Sequence, residues 1–112
     1  MNINFKGIYA ANIVPLKTDK SIDKENLAKH VMEISNVKGI RGLLVNGHAG
    51  ENFTLNANEQ IQVLKIIKEF IKKESLIISG VNFEDPQEAA RIAKEMLDSG
   101  ADAILIFPPF SW

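Results

Sequence analysis

The segment from residue 46 to residue 55 carries the residue types best suited to binding a small ligand. It reads Asn-Gly-His-Ala-Gly-Glu-Asn-Phe-Thr-Leu, so that Gly47 and Gly50 flank His48 and Ala49. Two glycines three positions apart let the backbone turn tightly and expose consecutive N–H groups, an arrangement suited to a carboxylate or a phosphate. The alternative is that the glycines only make the turn, since short glycine-rich loops are common.

Other chemistry around this loop is limited by the residues present. No Lys-Ser or Lys-Thr pair follows Gly50, and neither the spacing nor the length of the loop fits a dinucleotide fingerprint. The sequence has no cysteine, which excludes thiol nucleophiles and cysteine-bound zinc, and we expect no metal and no cofactor. His48 could hydrogen-bond a ligand or move protons near neutral pH, or it could brace the loop. Glu51 is expected to brace the loop through hydrogen bonds rather than act as an acid or base.

The length, composition and net charge of the whole sequence limit the class of protein that carries this loop. The 112 residues allow one domain, and 46% hydrophobic with 24% charged residues is an ordinary globular composition. A net charge of -1 gives no electrostatic case for nucleic acid or an anionic membrane surface as a partner. The longest apolar run, residues 103–107, is far shorter than the roughly 20 residues of a membrane-spanning helix. We expect a mature, cytoplasmic protein, in keeping with the absence of cysteine.

Four short apolar segments predict the strands that position the loop. They are rich in Ile, Val and Leu and do not alternate strictly with polar residues, which is typical of strands covered on both faces in a parallel sheet. The predicted strands cover residues 8–14, 42–45, 76–78 and 103–107.

Three amphipathic segments predict helices in the gaps between these strands. They cover residues 24–36, 57–72 and 85–100. Asp23 and Pro86 mark two of the starts, Asn56 and Glu59 have the spacing of a capping box, and Gly100 ends the third helix. The residues expected to face the core are Leu27, Val31 and Ile34, then Ile61, Leu64, Ile67 and Ile71, and finally Ala89, Ala93 and Met96.

The predicted elements alternate as βαβαβαβ, for which two architectures compete. A (β/α)8 barrel averages about 250 residues, so this chain would supply only part of one. A doubly wound sheet of four strands would instead be nearly complete, although poorly covered at its edges. Ligands bind at the carboxyl ends of the strands in both architectures, and those ends are expected after Val14, Val45, Gly80 and Phe107.

Four segments together resemble one protein family. Gly47-His48-Ala49-Gly50-Glu51 followed by Thr54-Leu55 resembles the Gly-Thr-Thr-Gly-Glu or Gly-Ser-Thr-Gly-Glu segment of the dihydrodipicolinate synthase and N-acetylneuraminate lyase family. The other segments that look like this family are Ile13-Val14-Pro15-Leu16 with Asp19 and Ser21-Ile22-Asp23, then Ile78-Ser79-Gly80-Val81, and then Ser99-Gly100-Ala101-Asp102-Ala103 with Phe107-Pro108-Pro109-Phe110. They occur in the family's order and span the whole sequence, which makes the set specific.

The resemblance implies a (β/α)8 barrel that acts on a 2-keto acid such as pyruvate, as a class I aldolase, lyase or synthase with a lysine Schiff base. The family's lysine lies on the sixth strand and its tyrosine on the fifth, beyond the four strands predicted here. Lys17 comes nearest to a strand end and is expected to be a solvated turn lysine, while His30 is expected to be a partly buried structural histidine. We therefore expect residues 1–112 to be the N-terminal part of one such barrel domain, inactive alone and forming a homo-oligomer.

The sequence departs from the family's pattern at two places. His48 and Ala49 replace the usual Thr-Thr or Ser-Thr pair, so a hydroxyl relay cannot operate there, while the backbone donors remain for the substrate carboxylate. Phe110 and Ser111 replace two adjacent tyrosines of the synthases, which favours a relative with another 2-keto acid substrate. The competing hypothesis is a free-standing α/β module that binds an anion in this loop and does no chemistry, although its first and fourth strands would be exposed edges.

Overall fold

All four predicted strands and all three predicted helices form in the computed structural model, which describes residues 2–109. The strands are β1 (Ile8–Ala11), β2 (Ile40–Val45), β3 (Leu76–Val81) and β4 (Ala103–Ile106). The helices are α1 (Lys24–Ser35), α2 (Ala57–Phe70) and α3 (Pro86–Asp98). Two short 3₁₀ helices, His48–Gly50 and Asn52–Thr54, lie between β2 and α2.

The four strands form one parallel sheet in the order β1-β2-β3-β4. Ala10 pairs with Leu43, which in turn pairs with Ile77 on the next strand. Right-handed crossovers between sequential neighbours place successive helices on the same face of the sheet. A doubly wound sheet instead reverses its strand order at a switch point and carries helices on both faces. The observed order is therefore that of a barrel segment.

The hydrophobic core lies between the sheet and the helices. Its largest fully buried apolar side chains are Leu27, Val31, Leu43, Val45, Val63, Leu64, Ile67, Ile77, Val81, Ile92 and Met96. The opposite face of the sheet carries Leu44, Ile78 and Leu105, which are half-buried or exposed. The expectation of strands covered on both faces is thus met on only one face within residues 2–109.

The helix starts follow the predicted capping pattern. The Asp23 carboxylate accepts a hydrogen bond from the Asn26 N–H at 3.1 Å at the start of α1. Asn56 and Glu59 make both bonds of the capping box at the start of α2, at 2.8 and 2.9 Å. Pro86 is the first residue of α3, where its missing N–H costs nothing.

The predicted ends of several elements are wrong by a few residues. β1 ends at Ala11 rather than at Val14, because the Ile13 N–H donates to His30 Nε2 at 3.1 Å instead of to a strand, and Val14 turns into the core. The other observed ends that differ are Ile40 for the start of β2, Val81 for the end of β3, Ile106 for β4, Ser35 for α1, Phe70 for α2 and Asp98 for α3.

The buried helix faces are wider than the predicted stripes. Apolar residues that are buried without having been predicted are Ala28 in α1, Val63 and Ile66 in α2, and Ile92 in α3. Predicted residues that are only half-buried are Ile34, Ile61, Ile71, Ala89 and Ala93. The cause in α2 is that this helix packs against α1 and α3 as well as facing the sheet, so that more of its circumference is covered.

The two outer strands of the described sheet expose apolar side chains. Ile8 in β1 is 66% exposed and Ile106 in β4 is 74% exposed. Each of these strands has one neighbour in the described sheet, which leaves a row of backbone groups open to pairing. Among the helices of residues 2–109, none is both long and apolar enough to cross a membrane.

Candidate functional site

The candidate loop, residues 46–52, follows β2 at the carboxyl edge of the sheet. Its tight turns are made by Asn46 and Glu51, whose φ angles are 56° and 52°. Gly47 has φ −89° and ψ −177°, which is extended backbone, and Gly50 has no positive φ. The prediction that the two glycines supply the turn through their backbone freedom is therefore wrong.

Packing explains the two glycines instead. Both are buried. A Cβ on Gly47 would lie 3.3 Å from Leu44 Cδ2, and a Cβ on Gly50 would lie 3.3 Å from Val14 Cγ2. The glycines let the loop lie against Leu44 of β2 and against the segment that follows β1, while the two residues between them are exposed.

The loop uses part of its backbone donors internally. The Gly50 N–H donates to the Gly47 carbonyl at 3.1 Å, and the Glu51 N–H donates to the His48 carbonyl at 2.9 Å. Within residues 2–109 the Ala49 N–H has no acceptor. The Gly50 N–H is thus committed to the turn, whereas the Ala49 N–H is available to a ligand.

His48 is held in place by a hydrogen bond and a ring contact. Its Nδ1 lies 3.0 Å from Asn52 Oδ1. Its ring is 4.4 Å from the Phe107 ring, centroid to centroid, at an interplanar angle of 31°, and 6.3 Å from the Phe53 ring. These contacts brace the loop, and they also fix the direction in which the exposed imidazole points.

Gly80 in β3 allows Phe107 to reach the candidate loop from β4. A Cβ on Gly80 would lie 2.7 Å from Phe107 Cε2 and would also collide with the Asn46 carbonyl oxygen. No side chain larger than hydrogen fits between these groups without a shift. Gly80 therefore brings the carboxyl ends of β2, β3 and β4 together around His48.

A network of buried carboxamides lies beneath the candidate loop. Asn46, Asn52 and Gln60 are 1%, 2% and 3% exposed. Asn52 Nδ2 donates to the Asn46 carbonyl at 3.0 Å, and Gln60 Nε2 donates to the Asn52 carbonyl at 3.0 Å. Asn46 Nδ2 donates to the Gln60 carbonyl at 3.1 Å and to Ser79 Oγ at 3.2 Å. The network ties the loop to α2 and to β3, and the interpretation of the sequence missed it.

Glu51 braces the loop, but not through its side chain. Its carbonyl accepts hydrogen bonds from Thr54 N at 2.9 Å and Thr54 Oγ1 at 2.8 Å. The carboxylate is exposed and makes no hydrogen bond with any residue from 2 to 109. The predicted bracing role is therefore carried by the backbone and the positive φ at this position.

Two other residues singled out in the sequence have the structural roles expected of them. Lys17 is exposed in a turn, where its N–H donates to the Ser21 carbonyl at 2.8 Å and its carbonyl accepts from the Lys20 N–H at 2.9 Å. His30 is partly buried in α1, and its Nε2 accepts from the Ile13 N–H at 3.1 Å. Both predictions are confirmed.

Some sequence expectations fall outside what the structure tests. Phe110 and Ser111 lie outside the described residues. In the part of the chain from residue 2 to residue 109, no group of three or more His, Asp or Glu side chains is arranged to hold a metal ion. Two surface grooves of about 530 and 590 Å³ are lined mainly by helix residues, and neither includes a residue of the candidate loop.

A family sequence model and solved structures similar to this chain both point to one protein family. The sequence model of the Dihydrodipicolinate synthetase family matches residues 4–112. CdNal from Clostridium difficile, solved in complex with mannosamine, is 31% identical with a TM-score of 0.84. The match covers 98% of this chain and 38% of that chain.

Two dihydrodipicolinate synthases are similar over nearly the same residues. The enzyme from Rhodopseudomonas palustris is 27% identical with a TM-score of 0.82, over 95% of this chain and 35% of that chain. The enzyme from Aquifex aeolicus is 27% identical with a TM-score of 0.85, over 95% of this chain and 36% of that chain. The chain thus spans little more than a third of the length of these relatives. Its four strands correspond to the N-terminal part of their (β/α)8 barrel, which confirms the predicted fold class.

Proposed function

The chain belongs to the dihydrodipicolinate synthetase family, and from this premise we propose that it forms the N-terminal part of a barrel enzyme acting on a 2-keto acid. The enzyme would be a lyase or synthase that forms a Schiff base between a lysine and a pyruvate-like substrate. The observation that carries this proposal is the family match over residues 4–112, which includes the whole candidate loop. Residues 1–112 would then belong to one barrel domain, with the imine-forming lysine on a later strand.

We further propose that the segment made of Gly47, His48, Ala49 and Gly50 forms the substrate-carboxylate site, with the Ala49 N–H as its backbone donor. The loop lies at the carboxyl edge of the sheet, where barrel enzymes bind their ligands. The Ala49 N–H has no acceptor within the described residues and supports this role directly. The two buried glycines support it by keeping the loop close to the sheet. A hydrogen bond from such an N–H to a charged group contributes about 1.5–3 kcal/mol.

The proposed partners are a small 2-keto acid and further copies of the protein. A Schiff base needs no added cofactor, since the lysine amine itself makes the covalent bond. Self-association is supported by the exposed apolar edges at Ile8 and Ile106. We also retain the cytoplasm as the proposed location, on the composition argued above.

Reductive trapping tests the proposed function. Residues 1–112 would be joined to the remaining strands of the Clostridium difficile relative, and we call this chimera the completed barrel. Incubation with pyruvate and borohydride should add a reduced pyruvyl group to one lysine of the added strands. Residues 1–112 alone serve as the control and should keep their mass. An adduct on a lysine of residues 1–112, or none on the completed barrel, would contradict the proposal.

A further inference from the structure

Asn46 and Gly47 form an asparagine–glycine pair, and no other asparagine of the sequence is followed by glycine. In such a pair the backbone nitrogen of glycine can attack the carboxamide carbon of asparagine, because glycine has no Cβ to hinder the approach. The attacking nitrogen gives up its proton, the bond from Cγ to Nδ2 breaks, and Nδ2 leaves as ammonia. Water then opens the resulting cyclic imide to aspartate or isoaspartate.

The carboxamide of Asn46 is held where its nitrogen cannot leave. Asn46 is 1% exposed. Its Nδ2 donates to the Gln60 carbonyl at 3.1 Å and to Ser79 Oγ at 3.2 Å. Because Nδ2 must take up a proton to leave as ammonia, these two hydrogen bonds, which anchor it to α2 and β3, have to break and solvent has to reach it.

The rest of the reacting group is equally restricted. The backbone carbonyl of Asn46 accepts from Asn52 Nδ2 at 3.0 Å and packs directly against Gly80, which fixes the peptide unit that contains the attacking Gly47 nitrogen. Within residues 2–109 no donor reaches Asn46 Oδ1. Negative charge develops on this oxygen when Cγ is attacked, and without donors in the protein interior that charge is unfavourable. The folded network therefore opposes each step of the reaction.

We propose that Asn46 is a deamidation site that the carboxamide network keeps closed and that opening of the network exposes to reaction. An aspartate at position 46 has no Nδ2 with which to donate to Gln60 and Ser79, and it places a carboxylate in a buried position. An isoaspartate also adds one carbon to the main chain. A molecule modified in the open state cannot rebuild the base of the candidate loop, so unfolding becomes irreversible at this position.

Tandem mass spectrometry of the tryptic peptide of residues 42–65 measures the modification at Asn46. The wild-type chain is incubated at one mildly alkaline pH, in buffer and in unfolding concentrations of urea, with circular dichroism to follow its helices. We expect deamidation in buffer to be at least about tenfold slower, because a stable domain leaves far fewer molecules than that unfolded. Equal rates in buffer and urea, or a buffer sample without helices, would overturn the proposal.

Gly47→Ala tests whether the Gly47 nitrogen is the attacking group. In urea the added methyl group hinders the approach of the nitrogen to Cγ, so we expect deamidation at Asn46 to become severalfold slower than in the wild-type chain. An unchanged rate in urea would mean that Asn46 reacts by another route, and the proposed site chemistry would be wrong.

Ser79→Ala tests whether the network itself protects Asn46, with Ser35→Ala as the matched control. Ser35 is a second buried hydroxyl that accepts one hydrogen bond, from the Lys72 N–H at 3.2 Å, at the other end of α2. In buffer, Ser79→Ala should raise the rate at Asn46 about fivefold, the effect of one neutral hydrogen bond, whereas Ser35→Ala should leave it unchanged. An equal rise in both variants would show that only global unfolding matters and would overturn the role of the network. Should Ser79→Ala lose its helices, the comparison of the wild-type chain in buffer and urea remains decisive.

Discussion

Replacing Gly80 by alanine should destabilise the protein, because this glycine brings three strand ends together. The added Cβ would lie 2.7 Å from Phe107 Cε2 and would collide with the Asn46 carbonyl oxygen, which is a backbone atom and cannot rotate away. Overpacking of this kind costs about 1–3 kcal/mol. The gain from a less flexible unfolded chain, about 0.4–1 kcal/mol for Gly→Ala, is too small to offset the upper part of that range. We expect a net loss of roughly 1–2 kcal/mol in the free energy of unfolding.

Gly47→Ala is the matched control for this experiment. It is also a buried glycine without a positive φ, but its Cβ would meet only the end of the Leu44 side chain, at 3.3 Å. A flexible side chain can give by a few tenths of an ångström, so this variant should stay within about 0.5 kcal/mol of wild type.

Urea denaturation followed by far-UV circular dichroism measures both free energies of unfolding. The chemical shifts of the His48 ring report the local effect, since Phe107 should move away from it only in Gly80→Ala. If Gly80→Ala is as stable as Gly47→Ala and leaves the His48 signals in place, the close approach of β3, the candidate loop and Phe107 is refuted.

Four further predictions concern the candidate loop, the starts of α1 and α2, and the edge of the sheet. In the completed barrel, Gly50→Val should raise the KM for pyruvate by displacing the loop, whereas Ala49→Thr should leave this KM nearly unchanged. If the KM of Gly50→Val equals that of the unmutated completed barrel, the carboxylate binds elsewhere. Asn56→Ala should lower the free energy of unfolding by about 1 kcal/mol in the same urea assay through loss of the capping box, and a change below a few tenths would contradict that role. The hydrogen bond from the backbone N–H of Asn26 holds the pKa of the Asp23 carboxyl below its usual 3.8. The stabilisation of α1 by the Asp23 carboxylate is therefore present above pH 3.8 and is lost as the pH falls through the lowered pKa. An NMR pH titration of the Asn26 amide signal checks this. Sedimentation at micromolar concentration should show dimers or larger species of residues 1–112, reduced by Ile106→Lys, and a wild-type monomer would argue against pairing at the sheet edge.

The number of elements and the starts of the helices could be predicted from the sequence because their causes are local. Asp23, Asn56 and Pro86 each act within one helical turn of their own position. The end of β1 could not be predicted in this way. It depends on His30, seventeen positions further along the chain, which takes the Ile13 N–H out of the sheet.

The position of the candidate loop could be predicted, but its internal geometry could not. Glycine was expected at the turns because of its backbone freedom, yet Asn46 and Glu51 adopt the positive φ angles. Asn46 is held in this conformation by its side-chain Nδ2, which donates to the Gln60 carbonyl and to Ser79 Oγ, contacts that appear only after α2 and β3 are in place. The available signal in the sequence was a cluster of carboxamide residues between residues 46 and 60. Only the tertiary structure shows that three of them form a buried hydrogen-bond network.

The crystal structure of the completed barrel with the borohydride-trapped pyruvyl group tests the central claim most directly. The distance to measure joins the Ala49 backbone nitrogen to the nearest carboxylate oxygen of the adduct. We predict about 2.7–3.2 Å, a hydrogen-bond distance, with the Gly50 N–H still bonded to the Gly47 carbonyl. A carboxylate bound to other groups, with the loop of residues 46–52 not in contact with it, would contradict the assignment of this loop as the carboxylate site.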